Sequence, residues 1–72
     1  MIINKVQEVA QRAGVKTIGE LRERAGIAYN TARSLWLGHS SGIDFDTLNK
    51  LCAGLNAQPG DLFKYEKEEA SG

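Results

Sequence analysis

Between Tyr29 and Ser34 the chain places a phenol, an amide at Asn30, a guanidinium at Arg33 and a hydroxyl at Ser34. Helical spacing puts Asn30, Arg33, Ser34 and Leu37 on one side of a segment and Ala28, Ala32, Leu35 and Trp36 on the other, with Tyr29 and Thr31 on the flanks. The polar set is of the kind that reads base edges, since an amide can pair with adenine and a guanidinium with guanine. The same spacing also fits the solvated face of a helical hairpin in a small bundle, and spacing alone favours neither reading. Other chemistry is scarce. One histidine, His39, and one cysteine, Cys52, assemble no nucleophile with a base and no metal-ligand spacing. No glycine-rich phosphate loop follows a strand. The expectation is a protein that is not an enzyme and holds no metal or cofactor.

The elements around this set follow from local signals. Thr17 can N-cap a helix, Glu20 completes a capping box, and Ile18, Leu21 and Ala25 share one face. Gly26 suits the left-handed position after that helix, and Ile27 is an apolar plug behind the turn. The outward helix then runs over about 28–37 and ends at Gly38. Upstream, a first helix is predicted from about Asn4 to Ala13, with Asn4 as cap, a stripe of Ile2, Val6, Val9 and Ala13, and Gly14 closing it. The loop Gly38–Gly42, with His39, Ser40 and Ser41, can offer amides and hydroxyls to an anion or serve as a plain connector. Asp44 caps a fourth helix whose apolar face is Phe45, Leu48, Leu51, Cys52 and Leu55. Cys52 reads there as a small buried hydrophobe. Asn56 suits a left-handed cap, and Pro59 opens a last short turn that drops Leu62 and Phe63 onto the core. No strand pattern stands out, so the chain is expected to be all-α, a compact five-helix bundle. Trp36 reads as a partly buried core aromatic, or else as a dimer anchor.

Seventy-two residues make one domain, expected over 1–65, with a charged, disordered tail over 66–72. The N-terminal apolar run is too short for a signal peptide or a membrane span, so no membrane partner and a soluble, cytoplasmic protein are expected. Formal net charge is zero. Up to Gly38, however, six cations face three carboxylates, and beyond it three cations face six carboxylates. The halves are thus +3 and −3, and such a dipolar molecule can still turn a basic face to phosphates.

Two stretches carry a resemblance. Residues 26–32, GIAYNTA, fit a helix–turn–helix turn and the start of its second helix. Residues 45–63, FDTLNKLCAGLNAQPGDLF, are similar to an ending of the form LDTLxKLCxALxCQPGDLF. Together they resemble the Cro/cI-like (XRE) helix–turn–helix family in its compact single-domain form, over roughly Asn4 to Tyr65. The resemblance implies a lambda-repressor-like DNA-binding domain with a central helix–turn–helix. It also implies sequence-specific binding of double-stranded DNA by a small bacterial or phage transcriptional regulator, a repressor, with the helix at about 28–37 in the major groove. The implied setting is the bacterial cytoplasm, on the nucleoid, with a homodimer on paired half-sites and no small-molecule ligand. Base-reading positions fall on Tyr29, Asn30, Arg33 and Ser34. Phosphate contacts fall on Lys16, Thr17, Ile18, Thr31, His39, Ser40 and Ser41, with Arg12 a weaker candidate.

Three positions depart from the family's pattern. Arg22 stands where a small residue is usual, Ala32 where a larger β-branched residue is usual, and Ala28 where Ser or Thr caps the recognition helix. The first two suggest an exchange in which the aliphatic stem of Arg22 packs over the space left by Ala32. A protein-interaction module on the same scaffold is the alternative, its partner surface formed by Tyr29, Trp36 and Leu37.

Overall fold

Five helices stand in the expected order, and a small sheet that no residue pattern announced closes the two ends of the chain. In the computed structural model, which describes residues 1–67, the elements are β1 (Ile2–Asn4), α1 (Val6–Arg12), α2 (Ile18–Ala25), α3 (Tyr29–Leu37), α4 (Phe45–Leu55), α5 (Pro59–Leu62) and β2 (Phe63–Tyr65). β1 and β2 pair antiparallel, with Ile2 opposite Tyr65 and Asn4 opposite Phe63. Beyond them Met1 and Glu66 exchange two backbone hydrogen bonds, at 2.6 and 2.9 Å. The all-α expectation is therefore corrected to a mostly helical domain with a two-stranded sheet. Three residues per strand are too few for alternation to register in a sequence. Of the tail expected over 66–72, residues 68–72 lie outside the described residues.

The sheet also shortens the first helix. Ile2, expected on its apolar stripe, lies in β1 and is exposed. Lys5 takes the N-cap position, while the Asn4 carboxamide oxygen accepts from the Val6 N–H at 2.8 Å. The same side chain donates to the Leu35 carbonyl at 3.1 Å, tying the start of α1 to α3.

The core draws on every helix: Val6 and Ala10 from α1, Leu21 and Ala25 from α2, Ala32 and Leu35 from α3, Leu51 and Leu55 from α4, and Leu62 from α5. Val15 joins them from the α1–α2 link. Trp36, Leu48, Cys52 and Phe63 pack half-buried at its edge. Two more residues expected on buried faces are, like Ile2, outside. Ala28 is exposed at the N-cap of α3, and Phe45 is 88% exposed. Phe45 opens α4, and side chains lean toward a helix's N-terminus, which carries this one past the elements that cover Leu48 and Leu51. α2 and α4 approach each other closely at one point. A Cβ built on Gly54 lies 2.6 Å from the Arg24 carbonyl oxygen and 2.9 Å from the Ala25 Cα.

The caps follow local chemistry closely. Thr17 Oγ1 accepts from the Glu20 N–H at 3.1 Å, though the Glu20 carboxylate takes the Lys16 N–H at 3.4 Å, one residue earlier than in a capping box. Gly26, at φ 70°, ends α2, and Asn56, at φ 51°, ends α4. Asp44 Oδ1 accepts from the Thr47 N–H at 2.9 Å. Hydrogen bonding from the Thr47 side chain and then from its backbone holds the Asp44 carboxyl below its usual range. A carboxyl lowered on folding stabilises above its unfolded pKa, and this contribution is lost as pH falls through the lowered folded value. The melting temperature should therefore decline below about pH 4, and Asp44→Asn, which still caps but does not titrate there, should flatten that part of the curve.

Arg22 is half-exposed, with its guanidinium 4.0 Å from Glu23, and Ala32 is fully buried. If the Arg22 stem covers the Ala32 position, Ala32→Val costs about 1–3 kcal/mol in the native sequence and less beside Arg22→Ala. Urea denaturation of the two single variants and the double variant checks this, and strictly additive losses would remove the exchange.

Candidate nucleic-acid interface

The outward helix owes its position to three local devices and one remote one. Gly26 turns the chain after α2, and its N–H reaches back to the Arg22 carbonyl at 2.8 Å. Ile27 packs half-buried against the core and sets the entry into α3. Gly38, at φ 75°, ends α3. From the far side, Asn4 holds the Leu35 carbonyl. With Ala32 and Leu35 buried, the opposite side of α3 must face solvent.

On that side Tyr29, Asn30 and Arg33 are exposed together. Ser34, expected beside them, is half-buried, and its carbonyl accepts from the His39 N–H at 2.9 Å. Leu37, 43% exposed, continues the outward line. Thr31 is half-buried and lines a hollow shared with Ser40, Asp44 and Thr47. Among the described residues neither Arg33 nor Lys16 has a carboxylate oxygen within 4.0 Å, whereas Lys5, Arg12, Arg22 and Lys50 each do. Arg33 thus projects a whole charge from the middle of the outward face. Arg12 sits 3.6 Å from Glu8, which offsets its charge.

The expected phosphate contacts divide. Lys16 is exposed and leads into α2, whose free N-terminal amides begin at Ile18. The Thr17 hydroxyl is occupied as the cap, leaving its backbone N–H for a phosphate. Ile18 is half-buried against the core and offers backbone only. His39 and Ser41 are exposed, but the Ser40 hydroxyl already donates to the Gly42 carbonyl at 2.6 Å. The Glu20 carboxylate beside these amides was not among the expected site residues. It lies 3.4 Å from both the Lys16 N–H and the Thr17 hydroxyl, so an approaching phosphate meets a like charge there. Its signal in the sequence was the T-x-x-E spacing, which reads as a cap and conceals the electrostatic consequence.

Residues 5–68 match the family described as Cro/C1-type HTH DNA-binding domain. The whole chain is also 35% identical to an HTH-type transcriptional regulator of Bacillus subtilis (strain 168), the uncharacterized YozG, over 72 residues that span 83% of that protein. No solved structure matches the chain.

Proposed function

The chain belongs to the Cro/C1-type helix–turn–helix DNA-binding family and is a DNA-binding transcriptional regulator, and we propose that it represses transcription as a homodimer with α3 in the major groove. Tyr29, Asn30 and Arg33 read base edges, Asn30 toward adenine and Arg33 toward guanine, with Ser34 at the edge of the set. Lys16, the α2 amides at Thr17 and Ile18, and the loop at His39, Ser40 and Ser41 contact phosphates, and Thr31 flanks them. A bacterial cytoplasmic setting on the nucleoid goes with this partner, and no described helix is long and apolar enough to cross a membrane. The observation that carries the reading is Arg33, exposed and free of carboxylate partners among the described residues, one turn from exposed Asn30.

Titration of isotope-labelled protein with random-sequence duplex DNA at low salt tests it, because phosphate binding needs no operator. Amide shifts should gather at Lys16–Thr17, Tyr29–Leu37 and His39–Ser41 and disappear as salt is raised. Absence of shifts, or shifts centred on α1 and α5, would leave the helix–turn–helix as a shape without this use and turn attention to a protein partner.

A further inference from the structure

The outward side of α3 changes character along its length. Asn30 and Arg33 are exposed and carry hydrogen-bonding heads, whereas the N-terminal end of the helix is apolar. Ala28, exposed in an extended conformation at φ −66° and ψ 148°, puts a methyl group where the family's pattern carries a hydroxyl, and no side chain caps the helix there. Tyr29, the first residue of α3, is 50% exposed and stands outside the buried core. Leu37, the other exposed large apolar side chain of this helix, is its last residue. A recognition helix docks by its N-terminal residues, so Tyr29 reaches base edges and Leu37 does not.

We infer that Tyr29, with Ala28 beside it, makes this domain a reader of the C5-methyl group of pyrimidines in the major groove, an inference that deepens the DNA reading above and rests on it. Among the groups that base pairs display there, the thymine methyl is the apolar one, and 5-methylcytosine places the same group on the same ring carbon. An aromatic face laid against that methyl removes apolar surface from water on both partners. The same face laid against a cytosine amino group or a purine acceptor strips a polar group of water and returns no hydrogen bond. Selection therefore works by exclusion as well as by attraction. Tyr29 and Asn30 stand about 1.5 Å apart along the helix axis, against about 3.4 Å between stacked base pairs. The methylated pyrimidine thus lies on the base pair that Asn30 reads or on the next one.

Fluorescence anisotropy of the full chain on a duplex selected from a random pool tests this, with each thymine replaced singly by 2′-deoxyuridine, a change that deletes only the methyl group. At one thymine of each half-site the affinity should fall about fourfold, the equivalent of one buried methyl group. At that place 5-methylcytosine should bind better than cytosine by a similar factor; no difference there, with the uracil loss standing, assigns thymine alone as the ligand. Tyr29→Ala should bind the thymine and uracil duplexes alike, and its melting temperature should not fall, because Tyr29 lies outside the core. Tyr29→Phe, which removes only the hydroxyl, should keep the full discrimination, as should Arg33→Ala despite its weaker binding. A selected half-site without thymine, a wild type indifferent to every replacement, or a uracil loss that persists in Tyr29→Ala would each overturn the inference. So would a uniform loss from Tyr29→Phe with no dependence on the methyl, which would give the hydroxyl to a phosphate instead. These outcomes leave the DNA reading in place, whereas failure to bind random-sequence duplex at low salt removes both.

Discussion

Gly54→Ala lowers the stability of this domain, even though alanine is the better helix former by about 1 kcal/mol. The added Cβ would sit 2.6 Å from the Arg24 carbonyl oxygen and 2.9 Å from the Ala25 Cα, and both are backbone atoms that cannot rotate aside. Relief requires α2 and α4 to separate, which loosens the packing of Leu21 and Ala25 against Leu51 and Leu55. Overpacking of this kind costs about 1–3 kcal/mol and at times more, so the clash outweighs the helix-propensity gain in most of that range. A net loss of about 1–2 kcal/mol would lower the melting temperature by roughly 5–15 °C in a domain of this size. Gly54→Val adds bulk without the propensity gain and should cost about 3 kcal/mol or more. The ending that these residues resemble carries alanine at this place, so a choice made from that pattern alone would expect the variant to be more stable. Urea denaturation decides the sign. An unchanged or raised midpoint would mean that the two helices part at little cost and that their close approach does not set the position of α2.

Arg33→Ala relaxes base preference at one position of the binding site by about 1–3 kcal/mol, roughly 5- to 150-fold. Asn30→Ala should do the same at a neighbouring position. Lys16→Ala behaves differently under the proposed roles: it weakens all duplexes alike and flattens the dependence of affinity on salt by about one ion. Fluorescence anisotropy at fixed salt, on a duplex selected from a random pool and on its scrambled counterpart, distinguishes the two behaviours. Equal losses on both duplexes from all three variants would undo the division into base-reading and phosphate-contacting residues. Arg33 is the sharper probe, because truncation at this exposed position disturbs no described ion pair and leaves the core untouched.

Much of the helix–turn–helix could be read directly from the chain, because its determinants act over a few residues. Thr17 and Asp44 cap through hydrogen bonds to residues three positions on. Gly26, Gly38 and Asn56 take left-handed conformations at helix ends, where glycine and asparagine strain least. The pairs Leu21 and Ala25, and Leu51 and Leu55, are buried as spacings of four predict. Asn30 and Arg33 face outward for the same reason. What tertiary structure alone decided involves partners far apart in the chain or the place where a covering element stops. Ile2–Asn4 become a strand only because Phe63–Tyr65 return beside them. Asn4 looked like a helix cap and also holds the Leu35 carbonyl, a contact across 31 residues. Gly54 stands where the resembled ending carries alanine, and only the fold brings the Arg24 backbone within reach of its missing Cβ. Phe45 has the right period for the core, yet the elements that cover Leu48 and Leu51 leave it exposed. Periodicity assigns a residue to a side of its helix, whereas burial depends on how far the neighbouring elements extend along that side.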